Sequence, residues 1–229
     1  MPRRPLFRTD QIAYHVTARS NNKEWFYLPI DDVWEVFADV FCRCYDQFRF
    51  ELHAFVMMSN HYHFIVSTPD RNLDRIMRYT MTETARKIAK KADRINHIFG
   101  GRYRWSTLSS ATSLSYVFKY VHRNPIRAGL ASKVEDYRYN ASFFPDASRN
   151  FPLSEGFTEY WKLIPRDPKD RLEWLNQPTR KESEELIARG LRRYDFQFSH
   201  HNGDQKLLRD LYASYGVAEE TPATFWARK

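Results

Sequence analysis

Two histidines separated by a single tyrosine are the first side chains of this sequence whose spacing suits chemistry. His61 and His63 lie within residues 57–66, a run rich in β-forming residues. Because successive side chains of a strand point to opposite faces, both imidazoles project from one face, and Tyr62 projects from the other. Two imidazoles placed in this way can share one divalent cation. A packed or solvated histidine pair is the alternative interpretation of the same pattern.

A helical segment further along the chain contains a hydroxyl that could act as a nucleophile. Its apolar stripe predicts a helix over residues 112–123, capped by Thr112 or Ser113, and Pro125 predicts that the helix ends nearby. The stripe consists of Leu114, Val117, Phe118 and Val121.

Three polar side chains of this helix lie off its apolar stripe. Tyr120 and Asn124 are four residues apart, so they share one side of the helix end and can address the same point. Tyr116 lies one turn earlier and is a weaker alternative as the nucleophile. A tyrosine in such a position is also commonly a plain surface residue, and that alternative stays open.

The positive charge of the chain is concentrated in its first part. The net charge is +8, and residues 1–150 contain 23 basic and 15 acidic side chains, whereas residues 151–229 contain 13 of each. A basic first part beside a neutral second part favours a polyanionic partner for the first. A protein that is merely basic is the alternative.

The densest basic region combines cations with aromatic rings. Residues 71–104 contain ten Lys and Arg against three acidic residues, and this composition is typical of a surface that binds single-stranded nucleic acid. A solvated helix face is the alternative. The predicted DNA-binding residues come from this region and from a basic arm near the N-terminus. They are Arg3, Arg4, Arg75, Arg78, Arg86, Lys87, Lys90, Lys91, Arg102, Tyr103, Arg104 and Trp105.

The order of strands and helices predicts an α+β fold. The hydrophobic periodicity gives β-α-β-β-α-β-α up to residue 123, which matches a ferredoxin-like antiparallel sheet with helices on one face. The third helix could then lie across the sheet and bring Tyr120 to the histidines. Residues 1–144 are predicted to form one domain, and residues 145–229 a mainly helical C-terminal extension of unassigned role.

The cysteines and the hydropathy point to a reducing compartment. Cys42 and Cys44 lie two residues apart in a predicted helix, where they cannot bridge each other. No apolar run reaches the length of a membrane span. The sequence therefore predicts a cytoplasmic protein without a membrane partner.

Two motifs in the first part of the chain resemble those of a known family. Residues 58–63 (Met-Ser-Asn-His-Tyr-His) and 120–130 (Tyr-Val-His-Arg-Asn-Pro-Ile-Arg-Ala-Gly-Leu) resemble the two signatures of the single-tyrosine HUH transposases, most closely the REP-associated tyrosine transposases. Residues 14–19, 101–104 and 136–139 support the resemblance, which spans residues 1 to about 144. Departures from the family pattern occur at Ser20, Ser59 and Tyr139, and none removes a group that the chemistry needs.

The resemblance implies a covalent mechanism. His61 and His63 would hold Mg²⁺ or Mn²⁺, with Asn124 as the third protein ligand, and Tyr120 would attack a DNA phosphodiester to leave a 5′-phosphotyrosine. A tyrosine has a reference pKa of about 10, so it needs activation, and the sequence identifies no general base. The strand histidines His15 and His53 are interpreted as structural, and His122 of the helix as structural or solvated.

The expected partner is single-stranded or hairpin DNA formed by REP-like repeats, bound by a monomer or homodimer associated with the nucleoid. The leading hypothesis is a metal-dependent DNA nickase and strand transferase. The alternative is a domesticated, non-catalytic DNA-binding protein, and a zinc-binding structural module is disfavoured because no cysteine lies near the histidines.

Overall fold

Four antiparallel strands form the sheet that the sequence predicts. The structure is a computed structural model that describes residues 5–143, 151, 153–154 and 161–196. The strands are β1 (Ala13–Arg19), β2 (Glu51–Met57), β3 (His61–Ser67) and β4 (Arg104–Leu108), in the order β2-β3-β1-β4. The strand that contains the histidine pair is therefore central, as is β1.

The helices complete the predicted pattern. They are α1 (Ile30–Gln47), α2 (Leu73–Lys91), α3 (Ala111–Arg127), α4 (Pro168–Asn176) and α5 (Lys181–Gly190). A β-α-β-β-α-β unit with this strand order is the ferredoxin-like arrangement, so the predicted fold class is confirmed.

The two faces of the sheet bury different helices. Tyr62 and Phe64 pack in one hydrophobic cluster with α1 and α2, whereas Val56 and Ile65 pack in a second cluster with α3. The helix pair of the ferredoxin-like unit thus covers one face, as predicted, and α3 covers the opposite face. Because strand side chains alternate, the two histidines of β3 share a face with Ile65 and lie on the α3 side.

The starts of two helices differ from their predicted caps. α1 has Pro29 at its N-cap, so Asp31 and Asp32 lie in the first turn. Their negative charges interact favourably there with the positive end of the helix dipole. α3 begins after Ser110, whose hydroxyl accepts a hydrogen bond from the Ser113 backbone N–H at 3.0 Å. The caps predicted for both helices are therefore wrong.

α3 ends close to Pro125, as predicted, but it continues past the proline to Arg127, four residues beyond the predicted range of 112–123. Pro125 has no backbone N–H to donate to the Val121 carbonyl. The side-chain amide of Asn124 donates to that carbonyl at 3.4 Å and to the Tyr120 carbonyl at 2.9 Å. Asn124 thus replaces part of the hydrogen bonding that the proline removes, which lets the helix pass it.

The described part of the C-terminal extension shares the core of α3. Leu175 of α4 and Leu186 of α5 are fully buried in the cluster that contains α3. Arg123 of α3 is buried at this contact and donates to the Glu184 carboxylate at 3.3 Å and to the Leu175 carbonyl at 3.0 Å. α4 and α5 fit the mainly helical character predicted for this extension.

Other segments of the chain cover both edges of the sheet. On β4, the backbone N–H of Thr107 donates to the Tyr194 carbonyl at 2.8 Å, and its carbonyl accepts from the Phe196 N–H at 2.9 Å. On β2, the N–H of Met57 donates to the Tyr139 carbonyl at 2.9 Å. These contacts occupy backbone groups that an edge strand otherwise offers to another chain.

Cys42 and Cys44 of α1 both carry thiols and do not bridge each other, as their spacing predicts. Burial raises the pKa of Cys44 to about 11, so this group is a neutral thiol. None of the helices within the described ranges combines the length and the apolar character that crossing a bilayer requires.

Candidate active site

The histidine pair lies at the start of β3, directly after the tight turn from β2. The Met58 backbone N–H donates to the His61 carbonyl at 2.8 Å and closes the hairpin. The rings of His61 and His63 are 5.0 Å apart and nearly perpendicular. Both imidazoles therefore meet on one face of the sheet, as the alternation of the strand predicts.

α3 brings Tyr120 to this pair. The ring centroids of Tyr120 and His63 are 6.1 Å apart in an edge-to-face arrangement. Tyr120 is only 7% exposed and Tyr116 is fully buried, so the expectation that both occupy a flank away from the core is wrong. The reason is tertiary, since the sheet and the C-terminal helices both cover α3.

Side chains next to the histidines occupy one nitrogen of each ring. The Nε2 atom of His15 lies 2.8 Å from Nδ1 of His63, and the two rings are stacked with centroids 5.1 Å apart. The Nδ1 atom of His61 lies 2.7 Å from Oδ1 of Asn60. His15 was interpreted from the sequence as structural. No pattern in the sequence indicates this contact, because it depends on the register between β1 and β3.

Asn124 and Arg127 meet beside the tyrosine at the end of α3. The guanidinium of Arg127 donates to Oδ1 of Asn124 at 2.9 Å and lies 4.7 Å from the centroid of the Tyr120 ring. The amide of Asn124 donates to the Tyr120 carbonyl, as described above. The structure therefore brings the predicted third ligand to the tyrosine, with its carbonyl oxygen already in one hydrogen bond.

The described residues contain no cluster of three or more His, Cys, Asp or Glu side chains that could hold a metal ion. A cation at the histidine pair would therefore need oxygen donors of another kind. An amide oxygen such as Oδ1 of Asn124 has two lone pairs, so one stays available beside its bond from Arg127.

Burial keeps the histidines of this face neutral. Burial lowers the pKa of His15 to about 3. Burial, together with the positive charges of Arg19 and Arg127, lowers the pKa of His61 to about 4. The pKa of His63 lies well below its usual value, first because of burial and then because of the adjacent histidines and the two arginines. The neutral imidazole is the form that binds a metal ion.

Burial also raises the pKa of Tyr120, and the charge and hydrogen bond of Arg127 offset part of this increase. The neutral phenol is consequently the stable form at physiological pH. Attack by this oxygen therefore requires the loss of its proton, to a nearby base or with stabilisation of the phenolate by a nearby positive charge.

Exposed arginines surround the histidines. Arg19 is paired with His61 across β1 and β3, and Arg104 of β4 is paired with Thr17, which is itself paired with His63. Because Trp105 packs against the α2 side, the neighbouring Arg104 projects to the histidine side. Arg19 and Arg127 were missed as site residues because they lie outside the dense basic stretch.

Most of the predicted DNA-binding residues occupy the opposite side of the molecule. Six belong to α2, which packs on the sheet face away from the histidines: Arg75, Arg78, Arg86, Lys87, Lys90 and Lys91. Three of these form ion pairs: Arg86 with Glu83, Lys87 with Asp39, and Lys91 with Asp32.

A groove of about 710 Å³ lies between α2 and residues 97–103. Its lining includes Arg75, Arg78, Arg102 and Tyr103. Trp105 instead packs against Tyr194, with ring centroids 4.9 Å apart. Arg3 and Arg4 lie outside the described residues.

The two other histidines interpreted as structural are buried away from the pair. His122 is fully buried, with Nδ1 3.2 Å from Oδ1 of Asn140. Nε2 of His53 lies 2.8 Å from the Ser67 hydroxyl, and its ring contacts that of Trp161 at a tilt, with centroids 4.5 Å apart.

The sequence matches a family of transposases over the region that contains the histidine pair, Tyr120 and Asn124, and the chain belongs to that family. The matching model carries the description "Transposase IS200 like" and covers residues 8–124. No curated protein has significant sequence similarity to the chain.

A solved structure with a TM-score above 0.5 shares the fold. A REP-associated tyrosine transposase bound to a REP hairpin superposes with a TM-score of 0.52 at 15% identity, over 69% of this chain and 93% of that one. A putative transposase from Deinococcus radiodurans R1 has a TM-score of 0.36 at 14% identity, over 54% of this chain and 95% of that one.

Proposed function

We propose that this transposase nicks single-stranded DNA and rejoins strands through a covalent bond to Tyr120. The packing of Tyr120 against His63, 6.1 Å apart by ring centroids, is the observation that carries the proposal. A tyrosine, two neutral imidazoles and exposed arginines on one face are the groups that phosphodiester transfer needs. Membership in the transposase family supports the same reaction class.

The proposed step exchanges one phosphoester bond for another. The Tyr120 oxygen forms a bond to phosphorus while the bond from phosphorus to the 3′ oxygen of the preceding nucleotide breaks. The phenol loses its proton and the departing oxygen takes one up. The products are a 5′-phosphotyrosine and a free 3′-hydroxyl, and another 3′-hydroxyl can reverse the step to join strands.

We propose that a divalent cation assists at His61 and His63. The two neutral imidazoles supply nitrogen donors, and the second lone pair of Asn124 Oδ1 supplies an oxygen. When bound, Mg²⁺ or Mn²⁺ neutralises phosphate charge and orients the phosphorus for attack. Imidazole ligands favour Mn²⁺ in vitro.

The proposed substrate is DNA that forms hairpins, such as REP-like repeats. The structural neighbour that is bound to a REP hairpin supports this choice. Arg19, Arg104 and Arg127 lie where they can contact the phosphates next to the cleaved bond, and the groove beside α2 remains the proposed contact for the rest of the substrate. The proposed location is the cytoplasm, where such DNA is present.

One observation favours the non-catalytic alternative, a DNA-binding protein without nicking activity. The Tyr120 side chain is almost fully buried, and Oδ1 of Asn124 already accepts from Arg127. A protein that only binds DNA has no need to expose either group.

A covalent-adduct assay distinguishes the two functions. We expect the purified protein with Mn²⁺ to nick a single-stranded hairpin oligonucleotide and to leave a protein–DNA adduct that resists denaturation. Tyr120→Phe should abolish the adduct while DNA binding persists. Tyr116→Phe is the matched control, because it removes a hydroxyl one turn away on the same helix, and it should retain the adduct. An adduct in Tyr120→Phe, or none in the wild type, would reject the proposal.

A further inference from the structure

We infer that Asn60 and His15 are positioning residues that set the tautomers of His61 and His63, so that both rings direct an unprotonated Nε2 outward. The inference rests on the proposed function in one respect, which is that these tautomers present two nitrogen lone pairs to the proposed cation. Its structural basis is one hydrogen bond at Nδ1 of each ring.

The orientation of the Asn60 amide determines the tautomer of His61. Its Nδ2 atom lies 2.7 Å from the Lys23 carbonyl, which can only accept a hydrogen bond, so the amide nitrogen must face that carbonyl. Oδ1 of Asn60 then faces Nδ1 of His61 at 2.7 Å and can only accept. Nδ1 of His61 must therefore carry the proton, and Nε2 of the neutral ring keeps its lone pair.

The contact between His15 and His63 permits two arrangements. Two neutral imidazoles 2.8 Å apart share one proton, so either Nδ1 of His63 donates to Nε2 of His15 or the reverse holds. In the reverse arrangement Nε2 of His63 carries a proton and has no lone pair for a cation. In the first arrangement both Nε2 atoms of the pair are available.

The surrounding charge selects the first arrangement. Arg19 and Arg127 lie close enough to disfavour a positive charge on His63. Because Nδ1 of His63 is directed at His15, Nε2 is the nitrogen left to interact with these charges, and a nearby positive charge favours a lone pair over an N–H there.

The strands hold these contacts rigidly. His15 belongs to β1, is 2% exposed, and stacks on His63 with an interplanar angle of 26°. Its neighbour Thr17 is paired with His63 in the register of β1 and β3. Asn60 is held in the hairpin turn, because its backbone carbonyl accepts from the Ser20 N–H at 2.9 Å. Outer residues that fix ligand orientation in this way typically contribute 10- to 100-fold to metal affinity.

The tautomers can be measured without metal or DNA. In metal-free protein with ¹⁵N-labelled histidine, long-range ¹H–¹⁵N correlation spectra should show His61 and His63 protonated at Nδ1 and unprotonated at Nε2. His15 should show the same tautomer. A proton on Nε2 of either His61 or His63 would overturn the inference.

Variants test the consequence for cation binding. We expect His15→Phe, which keeps an aromatic ring without a nitrogen, to weaken Mn²⁺ binding about 10- to 100-fold by calorimetry. His15→Gln should restore much of the affinity, because its amide oxygen can accept from Nδ1 of His63. Asn60→Ala should weaken binding similarly, and Asn96→Ala, in an exposed loop, is the control.

The outcomes separate this inference from the proposed function. Wild-type Mn²⁺ affinity in folded His15→Phe and Asn60→Ala would reject the positioning role. If the wild-type protein itself binds no Mn²⁺, the cation assigned to the proposed function is lost, and the metal-free spectra still decide the tautomers.

Discussion

Arg127 lies with its guanidinium carbon 4.7 Å from the centroid of the Tyr120 ring. The same side chain donates to Oδ1 of Asn124, so one cation contacts both groups that the proposed reaction uses on α3. Its charge offsets part of the effect of burial on the pKa of Tyr120. Arg127 is thus placed to stabilise a negative charge that develops on the phenol oxygen.

Replacing Arg127 should slow nicking through the pKa of Tyr120. Arg127→Ala should raise that pKa further, and below the pKa each unit removes about tenfold of the reactive phenolate. The pH–rate profile of nicking should therefore shift to higher pH, whereas Arg127→Lys keeps the charge and should shift it less. An unchanged profile in Arg127→Ala would contradict this role.

The two faces of the sheet should contribute differently to DNA binding. Arg78→Ala, in the groove beside α2, and Arg104→Ala, on the histidine side, should each reduce the salt dependence of binding by about 0.7 to 0.9 in log–log slope. Only Arg104→Ala should also slow nicking at saturating DNA, because it lies near the reacting groups. Salt titrations with single-turnover kinetics measure both effects. If binding does not depend on salt, the basic residues do not form the contact with DNA phosphates.

Acid should destabilise the protein below about pH 6.5. Burial lowers the pKa of His15 and His122 to about 3, and that of His53 and His61 to about 4. Between these values and the ordinary value of 6.5, the unfolded chain binds protons that the folded chain does not, so stability is complete above pH 6.5 and falls as the pH decreases. Each such histidine contributes about 1.4 kcal/mol per pH unit in this range.

Urea unfolding between pH 4 and pH 8 tests this dependence. His122→Asn removes one titrating group. The number of protons taken up on unfolding should fall by about one, which makes the free energy of unfolding less dependent on pH. His97→Ala changes an exposed histidine and should leave the slope as in the wild type. A stability that is constant from pH 7 to pH 4.5 would show that the buried histidines do not govern acid unfolding.

Breaking the buried ion pair at the C-terminal helices should destabilise the domain that contains α3. Arg123→Ala leaves the Glu184 carboxylate buried without its partner and should reduce the free energy of unfolding by about 3 to 5 kcal/mol. The double variant Arg123→Met with Glu184→Leu should recover most of this loss, because it removes both charges.

The fluorescence of the tryptophans near this contact reports the transition in urea. If Arg123→Ala unfolds like the wild type, α4 and α5 contribute little to holding α3 on the sheet. The same result would favour the predicted domain boundary, at which residues 145–229 form an extension that is independent of the first domain.

Much of the site follows from periodicities within single segments. The two-residue repeat of a strand places His61 and His63 on one face, and the spacing of helical residues groups Tyr120 with Asn124. Both relationships depend only on local backbone geometry, so the sequence was sufficient to predict them. The element order likewise predicted the ferredoxin-like sheet, because strand and helix patterns alternate clearly along residues 12–123.

Local patterns failed where distant segments cover an element. The apolar stripe of α3 predicted one buried side, but the sheet and the helices of residues 168–190 both cover this helix, so Tyr116 and Tyr120 are both buried. The helix extends two residues past Pro125, because the Asn124 side chain donates to the Val121 carbonyl, which the proline leaves without a backbone donor.

The sequence by itself determined which side chains could do chemistry and which of them share a strand face or a helix turn. The tertiary structure alone decided that His15 contacts His63, that Arg19 and Arg127 surround the pair, and that the basic side of α2 lies on the other face. These relationships depend on register between strands and on which face each helix covers. Both are set by contacts between residues far apart in the chain, and no periodicity within one segment encodes them.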